Sequence, residues 1–340
     1  MVFFAEVRPF LPIDLPLMRR LTPHGVSLDS TTSLTRGVHT LEGAVWGSVP
    51  LADLGTPTFV LRDGDQSYVS QFRHKMGDSH AHIVFIAPDL EWYQGTSAWL
   101  HLLDTMVAAA GKRSALTLNA EIDERSLAFE VLREAGFAVY ARQNIWQRPI
   151  GSSVSLAPSV PLASDESLLR PETDHDSFAI QTLFANLVPR MVCQAGGLPE
   201  LGGGFIYERH GQALAYLSVQ EGKCGIYIQP FIRPEVYDRA SEIVASVWRL
   251  MPRAERLPVY LCLPRYQEWL EGTLTTLNFE PLVSQAVMVK HTTSRVEQPE
   301  WTRERARNFP LPVIDYYKVA PQYQSRQGFC HYQGRPVSKN

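Results

Sequence analysis

Three histidines, His74, His80 and His82, crowd the start of a predicted strand, the last two inside Asp78-Ser79-His80-Ala81-His82. Successive side chains of a strand point to opposite faces, so His80 and His82 share one face. An unperturbed imidazole titrates near neutrality, which suits the removal of a proton from an ammonium substrate. The same pair would also serve as an ordinary, partly exposed strand end. With His74 they form a His-x5-His-x-His set, but without an acidic or cysteine partner at fixed spacing no metal site is expected. A second polar group, Glu208, His210, Lys223 and Tyr227, could line a cleft further along the chain, where each would equally fit an ordinary strand or turn role. The four cysteines, Cys193, Cys224, Cys262 and Cys330, lack metal-type spacing and are expected to be free thiols in a cytoplasmic protein. Gly196-Gly197 and Gly202-Gly203-Gly204 lead into a strand, whereas a phosphate loop leads into a helix with a Lys-Ser/Thr ending. They are read as a flexible loop over the second cleft.

The elements that must hold these residues come as two copies of one plan. Residues 86–149 and 228–291 share a template at an offset of 142 positions: a strand reaching a proline, a polar turn, a long helix, a strand, a second helix and a last strand. Ile86-Ala87-Pro88 answers Ile228-Gln229-Pro230, helices are expected around Ala98–Ala110 and Ala240–Met251, and strands at Ala115–Leu118 and Pro258–Leu263. Leu132–Phe137 and Gly272–Phe279 close the second helices, and Ala138–Gln147 and Leu282–Lys290 are the last strands. The openings repeat as well, Arg8-Pro9 and Asp14 answered by Arg170-Pro171 and Asp176 at an offset of 162. A repeat this long is a duplicated domain, since solenoid units are far shorter. In the first copy a strand through Val2 to Arg8 precedes a helix start at Pro12 and Asp14, and Arg-Asp-Gly-Asp at 62–65 is hairpin chemistry between Thr58–Leu61 and Tyr68–Phe72. In the second, Gly204–Glu208, Ala213–Gln220 and Cys224–Gln229 read as a meander. The class is therefore mixed α/β, with domains at 1–150 and 168–292, a Ser/Pro/Ala-rich linker at 151–167, and a tail at 293–340. That tail holds enough aromatics, Tyr316, Tyr317, Tyr323, Phe329 and Tyr332 among them, to pack on a domain or engage a protein partner.

Composition limits the partners. The 340 residues are 45% hydrophobic and 20% charged, with a net charge of −3. Nothing there draws the chain to nucleic acid, and the basic residues of the tail lack a stacking platform. No apolar run approaches the roughly 20 residues of a membrane span, and no signal core opens the chain, so neither a membrane nor secretion is expected.

A strand ending in proline, a turn, a helix opening with a small residue, a strand and a helix ending in Leu-x-x-x-Gly-Phe together resemble the GNAT superfamily of N-acetyltransferases. The phrases that carry this are Ala-Pro-Asp-Leu (87–90), Ser-Ala-Trp-Leu (97–100) and Leu-Arg-Glu-Ala-Gly-Phe-Ala-Val-Tyr (132–140), spread over residues 1–150 and 168–291. Two copies make the chain look like a tandem member. The resemblance implies two GNAT-like domains, each a central, mostly antiparallel sheet with helices on both faces. It also implies an acetyl-CoA or other acyl-CoA co-substrate, lying where the sheet splays, and a small-molecule or peptide amine as acceptor.

In that family the pyrophosphate rests on backbone amides of a basic, glycine-rich turn at the start of the long helix, where free N–H groups and the helix dipole favour an anion. The corresponding turns here are Glu91–Thr96 and Arg233–Asp238, and neither keeps the basic, glycine-rich pattern. Gln94, Gly95, Thr96 and Ser97 in the first copy, and Arg233 in the second, are the residues left to hold an acyl-CoA. The tyrosine that many members use to protonate the leaving thiolate is matched by Leu132 and Leu274, so an acid must come from elsewhere, such as Tyr140 or Tyr266, or from solvent. His80 or His82 would be the base. The alternative is a catalytically inactive GNAT-like binding or assembly module.

Overall fold

A computed structural model describes residues 6–37, 56–92, 95–150, 168–199 and 201–292. The expected linker and tail, Gln94 and Cys330 lie outside the described residues. The first half runs β1 (Glu6–Pro9), α1 (Leu15–Leu21), β2 (Val26–Ser27), α2 (Ser30–Arg36), β3 (Thr58–Asp63), β4 (Gln66–Arg73), β5 (His80–Ala87), α3 (Thr96–Lys112), β6 (Thr117–Ile122), α4 (Leu127–Glu134) and β7 (Ala138–Arg148). The second runs β8 (Arg170–Pro171), α5 (Ser177–Leu187), α6 (Arg190–Gly196), β9 (Phe205–Arg209), β10 (Gln212–Glu221), β11 (Ile226–Ile232), α7 (Ala240–Leu250), β12 (Val259–Pro264), α8 (Glu271–Thr276) and β13 (Glu280–His291).

Local chemistry accounts for the main elements. Ala98, Trp99, Leu102, Leu103, Met106 and Ala110 recur at helical spacing and form the buried stripe of α3. Ser126 caps α4, its hydroxyl accepting from Phe129 N at 3.3 Å, and Gly136 ends that helix at φ +85°. The hairpin between β3 and β4 turns at Gly64, with φ +59°. Arg8 reaches Asp14 through two hydrogen bonds of 2.6 Å, and Arg170 reaches Asp176 at 2.7 and 2.8 Å, so the repeated Arg-Pro…Asp signature is one ion pair on a buried aspartate made twice.

All the strands join one sheet, in the order β1-β3-β4-β5-β6-β13-β7-β12-β11-β10-β9-β8, with β2 pairing β5 off that path. The order is a palindrome of the duplication. At its centre the halves exchange strands: β13 of the second lies between β6 and β7 of the first, while β7 of the first lies between β13 and β12 of the second. Gln143 faces Gln285, Asn144 faces Ser284 and Arg142 faces Ala286, so the register has a local two-fold axis through the two glutamines. Those glutamines are 142 positions apart and share a hydrogen bond of 3.2 Å.

The offset does not hold along the whole repeat. Pro88 follows the end of β5, whereas Pro230 sits inside β11, which continues to Ile232 before Arg233-Pro234 begins the turn. Two large cores lie on one face of the sheet. One packs α3 and α4 around Trp99, Met106 and Leu132, and the other packs α7 and α8 around Ile243, Val247 and Leu274. On the other face α1 and α5 pack within their own halves, whereas two helices cross the seam as the strands do. Helix α2 lies against β10 and β11, with Cys224 N donating to Thr35 O at 2.9 Å, and α6 lies against β6 and β7, with Thr117 Oγ1 donating to Ala195 O at 3.3 Å.

Candidate active site at the seam of the halves

Between α2 and α6 the sheet floors a cavity of about 700 Å³, lined from both halves. The first half contributes Thr31, Thr32, Arg73, His80, His82, Glu121, Tyr140 and Gln143, and the second contributes Cys193, Gly197, Ser218, Gln220, Tyr227, Gln229 and Tyr266. His80, His82 and Tyr140 are thus brought together, with Tyr227 and Tyr266 opposite. Glu208 instead binds Arg170 at 2.6 Å, His210 sits in a turn at φ +54°, and His74 Nε2 is tied to Asp78 O at 2.8 Å. Among the described residues no group of His, Cys, Asp and Glu is placed to hold a metal ion.

The polar side of the cavity is a cluster of four ionisable groups. Asp29 caps α2 through Thr32 N at 3.2 Å and forms a short ion pair with Arg73. Its burial would raise its pKa, but the guanidinium and His82 more than offset this and hold it low. Glu121 follows two residues along β6 from Asn119 and accepts from Ser30 N at 2.9 Å. Burial and the neighbouring Asp29 charge raise its pKa against the opposing hydrogen bonds from Ser30. His82 moves the other way: burial and Arg73 lower it to about 3, with Asp29 only partly compensating. An imidazole held neutral to that acidity is a poor proton acceptor near neutrality. Glu121, facing the same cavity, moves the other way, and burial raises its affinity for a proton.

His80 is positioned differently. Its Nδ1 lies 2.9 Å from Thr117 Oγ1, and the Thr117 proton goes to Ala195 O. Gly197, at φ +75°, covers this ring, and a Cβ there would come within 2.8 Å of it. Burial and the Glu121 charge raise the pKa of Tyr140, and burial does the same for Tyr266, so both hydroxyls keep their protons.

The cluster has no counterpart across the axis. In the parallel pairs the core-facing residues Ala81 and Leu118 correspond to Ile226 and Val259. His82 then corresponds to Tyr227 and Glu121 to Cys262, and in the second half those two bond to each other with both pKa values raised by burial.

The two splayed clefts are filled by the chain itself. Strands β5 and β6 pair only from His80–Thr117 to His82–Asn119, and where they part the β2 segment enters. Val26 and Ser27 pair with Ile86 and Phe85, Leu28 N donates to Val84 O at 2.9 Å, and Glu121 N donates to Leu28 O at 2.9 Å. Strands β11 and β12 pair only from Ile226–Val259 to Ile228–Leu261. Beyond, the buried carboxamide of Gln267 accepts from Ile232 N at 3.1 Å and donates to Pro230 O at 2.9 Å.

Of the residues expected to hold an acyl-CoA, Gly95, Thr96, Ser97 and Arg233 lie outside the cavity lining. Gly95 caps α3, where a Cβ would stand 2.1 Å from the Tyr68 hydroxyl, so packing by itself requires glycine there. Thr96 and Ser97 are exposed in the first turn of α3. Arg233 pairs with Glu235 at 3.0 Å. In the first half the cleft does not fit an acyl-CoA, because Leu28 occupies it. In the second, the edge of β11 offers one N–H and one C=O to an amide, and the present partner is a side chain.

The sequence reading missed Asp29, Arg73 and Glu121. It ended the sixth strand at Leu118, and continuing the alternation through Asn119 to Glu121 would have placed the carboxylate on the cavity face.

No protein-family model matches this sequence, and no curated protein matches it. Among solved structures the chain is similar to a GCN5-related N-acetyltransferase from Sphaerobacter thermophilus, at 14% identity and a TM-score of 0.54 over 85% of this chain and 96% of that one. It also aligns with a tandem GNAT protein from the clavulanic acid biosynthesis pathway, at 14% identity and a TM-score of 0.49 over 86% and 99%. No helix among the described residues is long and apolar enough to cross a membrane. In fold, this chain resembles GNAT acetyltransferases, and its own sheet runs through one strand order in two halves.

Proposed function

We propose that the chain is an N-acyltransferase whose acceptor, a small amine, sits in the cavity at the seam. The observation that carries this reading is Glu121, a carboxyl of raised pKa facing a cavity built by both halves of a GNAT-like fold. An acyl-CoA, when bound, supplies the activated acyl group. Arg233 and the β11 edge at Pro230 and Ile232 are the groups that would hold it, once the Gln267 carboxamide gives up that edge. Glu121 takes a proton from the ammonium, the freed amine forms the C–N bond as the thioester C–S bond breaks, and the second proton that the nitrogen sheds on becoming an amide reaches the thiolate through Tyr266, Tyr140 or solvent.

Calorimetric titration of the purified chain with acetyl-CoA tests this. One site per chain is expected, weakened about tenfold, or about 1.4 kcal/mol, in Arg233→Glu. Glu121→Gln should leave that binding intact while lowering turnover by about a hundredfold or more. A second reading, a non-catalytic binding module, is favoured by the internal partners that occupy both clefts. No heat with acetyl-CoA up to millimolar concentration would establish it over the first.

A further inference from the structure

The segment that closes the first cleft also builds the site. Gly25 fits against β5 so closely that a Cβ would lie 2.9 Å from the Ala87 Cβ and 3.1 Å from Ile86 O. His24 O accepts from Asp89 N at 2.6 Å, and its ring stacks on Trp92 with centroids 3.6 Å apart. Leu28, almost wholly buried, then joins β5 to β6 through its own N–H and C=O. This is a strand held at both edges. The next two residues are Asp29, paired with Arg73, and Ser30, whose N–H is bound by Glu121. Ser30 Oγ also donates to Gln285 Oε1 at 2.9 Å, the amide that bonds Gln143 on the two-fold axis. Among the described residues the second half has no such strand: α5 ends at Leu187, α6 begins at Arg190, and in the matching cleft the Gln267 side chain holds the open edge of β11.

We propose that the strand Val26–Leu28 is the permanent occupant of the first half's cleft, and that Asp29 and Ser30, carried on its end, are positioning residues for Glu121 in the shared cavity. The first half has thereby exchanged donor binding for the proton-handling side of a composite site. This rests on the reading that the cavity seats the acceptor amine. The strand carries Asp29 to Glu121 as a like charge, which favours the protonated carboxyl, and Ser30 as a donor, which favours the ionised one. The other groups whose charge reaches this cluster are Arg73 from β4, His80 and His82 from β5, Tyr140 from β7, Tyr227 from β11 and Cys262 from β12.

The test is the titration of the Glu121 side-chain carboxyl, followed by carbon NMR in the full chain labelled at glutamate, with Glu121→Gln assigning the signal. Asp29→Asn keeps a capping side chain for α2 and removes only the charge. It should move the Glu121 midpoint down, and Asp29→Glu should restore it. Ser30→Ala keeps the main-chain N–H that Glu121 accepts and removes the hydroxyl, which is shared with Gln285 and also lowers the carboxyl's pKa, so the midpoint should move up. Opposite displacements from adjacent residues cannot come from general loosening, which thermal melts of each variant check independently. A Glu121 midpoint at the ordinary glutamate value in the parent chain, or one that neither variant moves, would overturn the proposal. The experiment uses no acyl-CoA, so a protein that binds no donor still gives a decisive answer.

Discussion

A carboxyl and an imidazole that face one cavity are shifted in opposite directions by the same surroundings. Burial disfavours the charged form of each, raising Glu121 and lowering His82. For His82 the folded value of about 3 lies below the ordinary 6.5, so unfolding takes up a proton at any pH between the two. Stability is lost as pH falls from 6.5 towards 3, by at most about 1.4 kcal/mol per pH unit. His82→Gln removes that uptake, so the variant should gain on the parent as the solution is acidified. Glu121 acts in the opposite sense above its ordinary value, so the informative quantity is the difference between the two proteins in urea midpoint. If that difference stays constant between about pH 7 and pH 4, His82 is not held neutral.

At the scale of elements, the start of α3 shows how a residue type can point to chemistry and serve packing. Gly95 looked like a remnant of a phosphate-binding turn, yet it stands where Tyr68 comes under the first turn of the helix. The Tyr68 hydroxyl is itself fixed on Gln66 Oε1 at 2.6 Å, so it cannot swing aside freely. Gly95→Ala should cost about 1 to 3 kcal/mol by overpacking. Tyr68→Phe in the same chain should recover part of this, because it removes the nearest atom but leaves the ring 2.7 Å from the new Cβ. Equal costs with and without the hydroxyl, measured by urea denaturation, would show that the contact is not the cause.

The whole molecule is two sequence halves and one sheet. Strand β13 completes the first half and β7 the second, so a separate half would expose the unpaired edges of β6 and β7, or of β12 and β13, above an incomplete core. Expressed alone, residues 1–150 and 168–292 should each fail to give a folded monomer. Produced together as separate chains, they should elute as one species in size-exclusion chromatography, with the near-ultraviolet circular dichroism of the parent. A soluble, folded monomer of either half would contradict the exchange.

The order of elements was legible because it rests on local signals. These are the apolar run from Ile83 to Ala87, the helical stripe of α3, the capped start of α4, and the repeated Arg-Pro…Asp whose ion pair closes within six residues. The duplication was legible for the same reason, since each copy carries its own turn and cap chemistry. The site was not. Asp29 and Arg73 are 44 positions apart, Ser30 and Glu121 are 91 apart, and Ser30 and Gln285 are 255 apart. No periodicity or capping rule connects residues at such distances. What joins them is the exchange of strands about Gln143 and Gln285 and the entry of Leu28 between β5 and β6, both set by backbone hydrogen bonding between distant segments. The sequence by itself determined two copies of a strand-and-helix plan. The tertiary structure alone decided that the copies would share a sheet, that one cleft would hold the chain's own strand, and that an acid would meet two histidines at the seam.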